Sequence, residues 1–140
     1  MELAISPYDG AGAIRFGMSV DEVRRTIGKS FSSFFKTQTS PVQTDAFDSE
    51  GIHVHYKSPG VCEAVEMAAP ACPTLNGELL VGRPYEQVSS LIKSLDSEVK
   101  EDEAGVTAFG LGIGLYAPSA AKDPRSPVES VIVFEKGYYD

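Results

Sequence analysis

The only two histidines, His53 and His55, stand two residues apart in Ile52-His-Val-His-Tyr56. Residues i and i+2 share one face of a β-strand. An H-x-H pair can therefore hold two positions around a metal, with Glu63 or Glu66 on a neighbouring strand adding a carboxylate. The simpler reading puts both imidazoles on a solvent-facing sheet surface, and it is the one expected here. The glycines of Gly10-Ala-Gly-Ala-Ile-Arg-Phe-Gly17 raise phosphate binding. A dinucleotide loop needs Gly-x-Gly-x-x-Gly after a strand. Position 15 is Arg, the glycine pair precedes the short apolar run, and no Walker Lys-Ser/Thr follows. Cys62 and Cys72 fit no zinc or redox spacing and read as free thiols. No Gly-x-Ser-x-Gly is present, and nothing basic near Cys62 would lower its pKa. The chain is expected to be no enzyme, with no catalytic residue, no cofactor and no bound metal.

Carboxylates and tyrosines are the remaining chemistry. Asp45, Asp48 and Glu50 form one acidic cluster, and the run Asp96–Glu103 forms another. Each reads either as a solvated segment or as a contact patch for a basic partner. The longer run is expected to be a loop after a helix. Tyr138 and Tyr139 near the C-terminus suit an interface, or packing over a sheet edge.

These residues must be positioned by elements, and the elements occur twice. Ile14–Ile27 aligns without a gap on Leu79–Ile92. Gly17 falls on Gly82, Asp21 on Glu86, Val23 on Val88 and Ile27 on Ile92. Further on, Asp45-Ala-Phe47 resembles Thr107-Ala-Phe109, Ile52–His55 lies on Ile113–Tyr116, and Val61–Met67 lies on Pro127–Val133. Each half begins with a short strand ending in Gly, and a helix follows. Ser19 and Glu22 make a capping box for the first helix, and Gly28 ends it. Pro84 stands at the first position of the second helix. Val20, Val23 and Ile27 form one apolar stripe, and Val88, Leu91, Ile92 and Leu95 the other. Alternation at Ile52–Tyr56 and Leu111–Tyr116, and the run Val128–Glu135, read as strands. Pro70–Gly77 reads as the boundary between halves.

The expected fold is α+β, in two tandem strand–helix–strands repeats spanning 1–74 and 75–140 of a single compact domain. Helices pack on one face of an antiparallel sheet, and the other face stays at least partly free. A chain of 140 residues can bury a core without disulfides or metals. The formal net charge of −8 argues against nucleic acid and fits a basic partner. No apolar run approaches the roughly 20 residues of a membrane span, and the N-terminus has no signal-peptide pattern. No membrane role and a cytoplasmic location are expected.

The segments "GAGAIRFGMSVDEVRRTIG" and "VESVIVFEKGYYD" resemble parts of small bacterial immunity proteins, which neutralise secreted or contact-delivered toxins by binding them. The duplicated layout is similar to the beta-lactamase inhibitor protein family, in which two α/β repeats present a sheet surface to an enzyme. The "FGM…EV" turn and helix is also similar to lipoprotein assembly factors of related architecture, without their lipobox. The inhibitor family's disulfide pattern is absent too. The resemblance implies a non-catalytic protein that occludes a toxin's active site, with a cognate toxin, basic around that site, as its partner. The surface residues expected to contact it are Asp45, Asp48, Glu50, His53, His55, Glu66 and Tyr116. The alternative is a small-ligand or metal-binding domain built on His53, His55 and nearby carboxylates.

Overall fold

The computed structural model describes residues 2–140. Strands β1 (Glu2–Ser6), β2 (Gly10–Ala11) and β3 (Ile14–Arg15) open the chain. Helix α1 (Val20–Ile27) follows, then β4 (Ser32–Phe34), β5 (Thr44–Phe47), β6 (Ile52–Lys57) and β7 (Val61–Ala68). Next come β8 (Cys72–Leu75), β9 (Glu78–Leu79) and α2 (Tyr85–Leu95). Strands β10 (Val99–Asp102), β11 (Gly105–Ala108), β12 (Ile113–Tyr116) and β13 (Ser130–Phe134) complete the order. The fold is α+β, with two helices and two largely antiparallel sheets.

The larger sheet has eight strands in the order β10-β11-β12-β13-β7-β6-β5-β4, all antiparallel. Its register sorts the side chains into rows. One face carries the row Val106, Leu115, Val131, Met67, Ile52, Phe47 and the row Ala108, Ile113, Val133, Val65, Val54, Asp45. The apolar members of these rows are buried in one cluster with Val23 and Ile27 of α1, Val88 and Ile92 of α2, and Leu3, Ile14 and Leu75 of the smaller sheet. This face is the inner one. Burying a Val or Ile side chain stabilises by roughly 1.5–3 kcal/mol relative to exposure, so a strand slip that reversed the faces would forfeit the whole core.

The first helix forms as its sequence indicates. Ser19 Oγ accepts the Glu22 N–H at 3.1 Å, and Glu22 Oε1 accepts the Ser19 N–H at 3.1 Å. Gly28 closes the helix at φ +65°, a left-handed conformation that glycine adopts without steric cost. The second helix departs from its expected stripe. Tyr85, Val88, Ser89 and Ile92 are buried, whereas Leu95 is exposed, because the helix ends there and Asp96 turns the chain in an extended conformation.

The segment Pro70–Gly77, expected as the boundary between halves, carries a strand, since β8 lies within it and pairs in parallel with β1, Leu3 opposite Pro73. Leu3 and Leu75 both enter the core, and extended pairing satisfies the backbone they bury. The smaller sheet, β3-β2-β1-β8-β9, is therefore mixed. The expectation of a loop at the charge run Asp96–Glu103 is corrected. The centre of the run is the edge strand β10, and charged side chains suit an edge because they discourage further pairing. Asp96 itself is buried and accepts the N–H groups of Glu98 at 2.7 Å, Gly110 at 2.7 Å and Leu111 at 3.1 Å. Among the described residues, no helix is long and apolar enough to cross a membrane.

Candidate functional site

The outer face of the large sheet is the opposite set of rows. One runs Thr107, Gly114, Ile132, Glu66, His53, Ala46, Ser32. A second runs Gly105, Tyr116, Ser130, Ala68, and a third Phe134, Ala64, His55, Thr44, Phe34. From Phe134 to Thr44 the third row is buried. Near it, Tyr138 stacks on Phe134 at 5.7 Å between ring centroids, and Tyr139 meets Phe134 edge-on at 4.9 Å. Lys36, on the segment after β4, donates to the Tyr138 hydroxyl at 3.0 Å. A clasp of residues far apart in sequence thus joins the C-terminal segment to the loop after β4. The other two rows carry half-buried or exposed side chains from Thr107 to His53 and at Tyr116.

His53 and His55 share this face, as their spacing requires, but their environments differ. His53 is half-exposed, 3.2 Å from Asp48 and edge-on to Phe34 at 5.6 Å. His55 is buried, against the expectation of a solvent-facing imidazole. Its Nδ1 lies 2.9 Å from Thr44 Oγ1, and its Nε2 hydrogen-bonds Glu66 Oε1. The His55 bond holds the Glu66 carboxyl below its ordinary range, against the opposing effect of burial. Glu66 is also the cross-strand neighbour of His53. Among the described residues, no three His, Cys, Asp or Glu side chains converge as metal ligands would.

The remaining expected contact residues separate. Tyr116 is on the outer face and 49% exposed. Asp48 and Glu50 lie in the short 3-10 turn before β6, with Asp48 reaching His53. Asp45 stands apart. It lies on the inner face, fully buried, where both its oxygens accept from Arg24 at 2.9 Å. Ser33 donates to it at 2.8 Å and Tyr56 at 2.9 Å. Burial pushes the Asp45 carboxyl up, but these donors together hold it below the usual carboxylate value. The strand period puts Asp45 opposite Val54 on the core side, so this carboxylate ties α1 to β4, β5 and β6.

The outer face has a depression of about 430 Å³ over β11, β12 and β13. Gly114 gives it room, since a Cβ there would stand on the outer face against the Ile132 side chain. Tyr116 and Tyr139 line it, with Glu66 and Asp102. The groove is a feature that residue spacing does not reveal, because the return of the C-terminal segment over the sheet is what brings Tyr139, already an interface candidate beside Tyr138, to its lining. Cys62 is buried in β7, and burial pushes its thiol up to about 12, so it is inert as a nucleophile. No protein-family model matches this chain, and no curated protein or solved structure matches it either.

Proposed function

We propose that this protein acts by binding another protein, as an immunity protein that occludes the active site of a cognate toxin and does no chemistry of its own. The observation that carries the reading is the partly open outer face of the eight-stranded sheet. There His53, Glu66, Tyr116 and Tyr139 stand on or against paired strands, where little side-chain freedom remains to be lost on binding. The net charge of −8 favours encounter with a basic partner.

Within this reading, the chain is one compact domain of two tandem repeats, and the order of elements supports it. The series β3, α1, β4–β7 is followed by β9, α2, β10–β13. The sheet order is symmetric about the β13–β7 pair, in which Val131 faces Met67, Ile132 faces Glu66 and Val133 faces Val65. In the sequence alignment Glu66 and Ile132 are equivalent, so they mark an internal two-fold axis. Equivalent bonds follow. Gly17 N–H donates to Cys62 C=O at 2.9 Å and Gly82 N–H to Val128 C=O at 2.8 Å. Ser19 bridges Val61 as Pro84 bridges Pro127. Gly17 and Gly82 share a left-handed φ of +91° and +88°, so these glycines are read as a repeated turn rather than as a phosphate cradle.

The test is co-expression with the product of the adjacent gene in the native genome, scored by growth and by co-purification. Protection, with a stable complex, is expected. Failure to protect from that product, with no complex, overturns the assignment.

A further inference from the structure

The depression over Gly105 and Gly114 differs from its counterpart in the first half of the chain. Gly114 is cross-strand to Ile132 as His53 is to Glu66. Where the first half places an imidazole, the second half leaves space. Tyr116 and Tyr139 offer aromatic rings to that space. The lining carries two carboxylates, Glu66 and Asp102, and no Lys or Arg. Asp102 Oδ1 accepts the N–H groups of Ala104 at 2.8 Å and Gly105 at 3.1 Å. Glu66 uses Oε1 for His55. Among the described residues, the second oxygen of each has no hydrogen-bond donor. Lys36 acts on Glu66 through space, but its ammonium is held by Tyr138.

We propose that this depression receives a basic loop of the protein partner, with an arginine side chain against each of the two carboxylates. The inference rests on the binding-protein reading and names the chemistry the partner presents. Glu66 on β7 and Asp102 on β10 are four strand steps apart, about 19 Å of backbone at ~4.8 Å per step. That separation suits two cationic side chains from one loop rather than a single ion. A guanidinium is planar, donates in pairs to a carboxylate and stacks on tyrosine faces. An anionic or apolar loop would leave the second oxygen of each carboxylate desolvated and without a donor.

The test is a titration of ¹⁵N-labelled protein with the peptide Ac-Arg-Gly-Arg-NH2, and with its citrulline counterpart, which has the same shape without the charge. The arginine peptide is expected to shift the amides of Gly105, Thr107, Gly114 and Ile132, and the citrulline peptide to leave them in place. The Glu66→Gln, Asp102→Asn variant keeps an acceptor oxygen for His55 and for the β10–β11 turn. It should weaken binding roughly five- to tenfold. A Glu2→Gln, Glu78→Gln variant loses the same net charge on the smaller sheet, outside the lining of the depression, and should bind as the unaltered protein does. Equal loss in both variants, or equal shifts with citrulline, overturns the proposal. If the adjacent gene's product is neutralised as well by the Glu66→Gln, Asp102→Asn variant, the groove proposal falls and the immunity reading stands. If the peptide binds as expected and no protection is found, the reverse holds.

Discussion

Removing the Asp45 carboxylate strands Arg24, Ser33 and Tyr56 at once. Losing hydrogen bonds to a buried charged group costs about 1.5–3 kcal/mol, and leaving a charge unpaired costs more. Arg24 keeps some solvent contact and stays over the Phe31 ring, 4.3 Å from its centroid, which limits the loss. Asp45→Ala is expected to destabilise the protein by roughly 3 kcal/mol, read from urea unfolding near pH 7. The pH dependence follows from the depressed carboxyl. The unfolded state binds its proton first, so the Asp45 contribution is present above about pH 4 and is lost as pH falls through the lower folded value. Asp45→Asn should therefore show a smaller drop in stability between about pH 6 and pH 3 than the unaltered protein. An unchanged drop would mean that Asp45 is not the group responsible. The sequence placed Asp45 with Asp48 and Glu50 by proximity. It gave no sign that the strand turns Asp45 to the core, because an acidic residue reads as surface until its partners, from α1, β4 and β6, are known.

Helix α1 and its caps were the most legible element, since capping is a local affair of four or five residues, whereas Pro84, expected at the first position of α2, stands just before that helix. Ser19→Ala removes the acceptor for the Glu22 N–H and should cost about 1 kcal/mol. Gly28→Ala forces a side chain into the left-handed region and should cost a similar amount, about 1 kcal/mol. Thermal or urea unfolding of each variant checks the pair. No loss in either would imply that α1 is held by tertiary packing alone. Strand β10 was hidden by its own composition. Lys100, Glu101 and Asp102 have poor strand propensity, and only pairing with β11 makes them a strand. Strand β8 was hidden by Pro70 and Pro73, which read as breakers. It forms because β1, distant in sequence, supplies its partner.

At the scale of the whole molecule, the β13–β7 pair joins the first and second halves into one continuous sheet. Val65 and Val131 are fully buried at this joint. The two halves are therefore expected to unfold together. Amide exchange of Val23 in α1 and of Val88 in α2 should accelerate at the same denaturant concentration, and Val65→Ala should lower both together, by roughly 2 kcal/mol. Separate transitions for the two helices would show that the joint is not cooperative. The same joint brings Glu66 beside Ile132 and so places one carboxylate of the first half at the rim of a groove built by the second.

By itself the sequence determined what local spacing controls. It set the two helices, the capping box, the alternation that puts His53 and His55 on one face, and the recurrence of a glycine before each helix. These follow from backbone geometry over a few residues. Only the tertiary structure decided which face is covered. It turned Asp45 inward, buried His55 against Glu66, and brought Lys36 to Tyr138 across the sheet. Those outcomes depend on pairing and packing between residues far apart in the chain, and a periodic pattern specifies that a strand has two faces without specifying what lies over each.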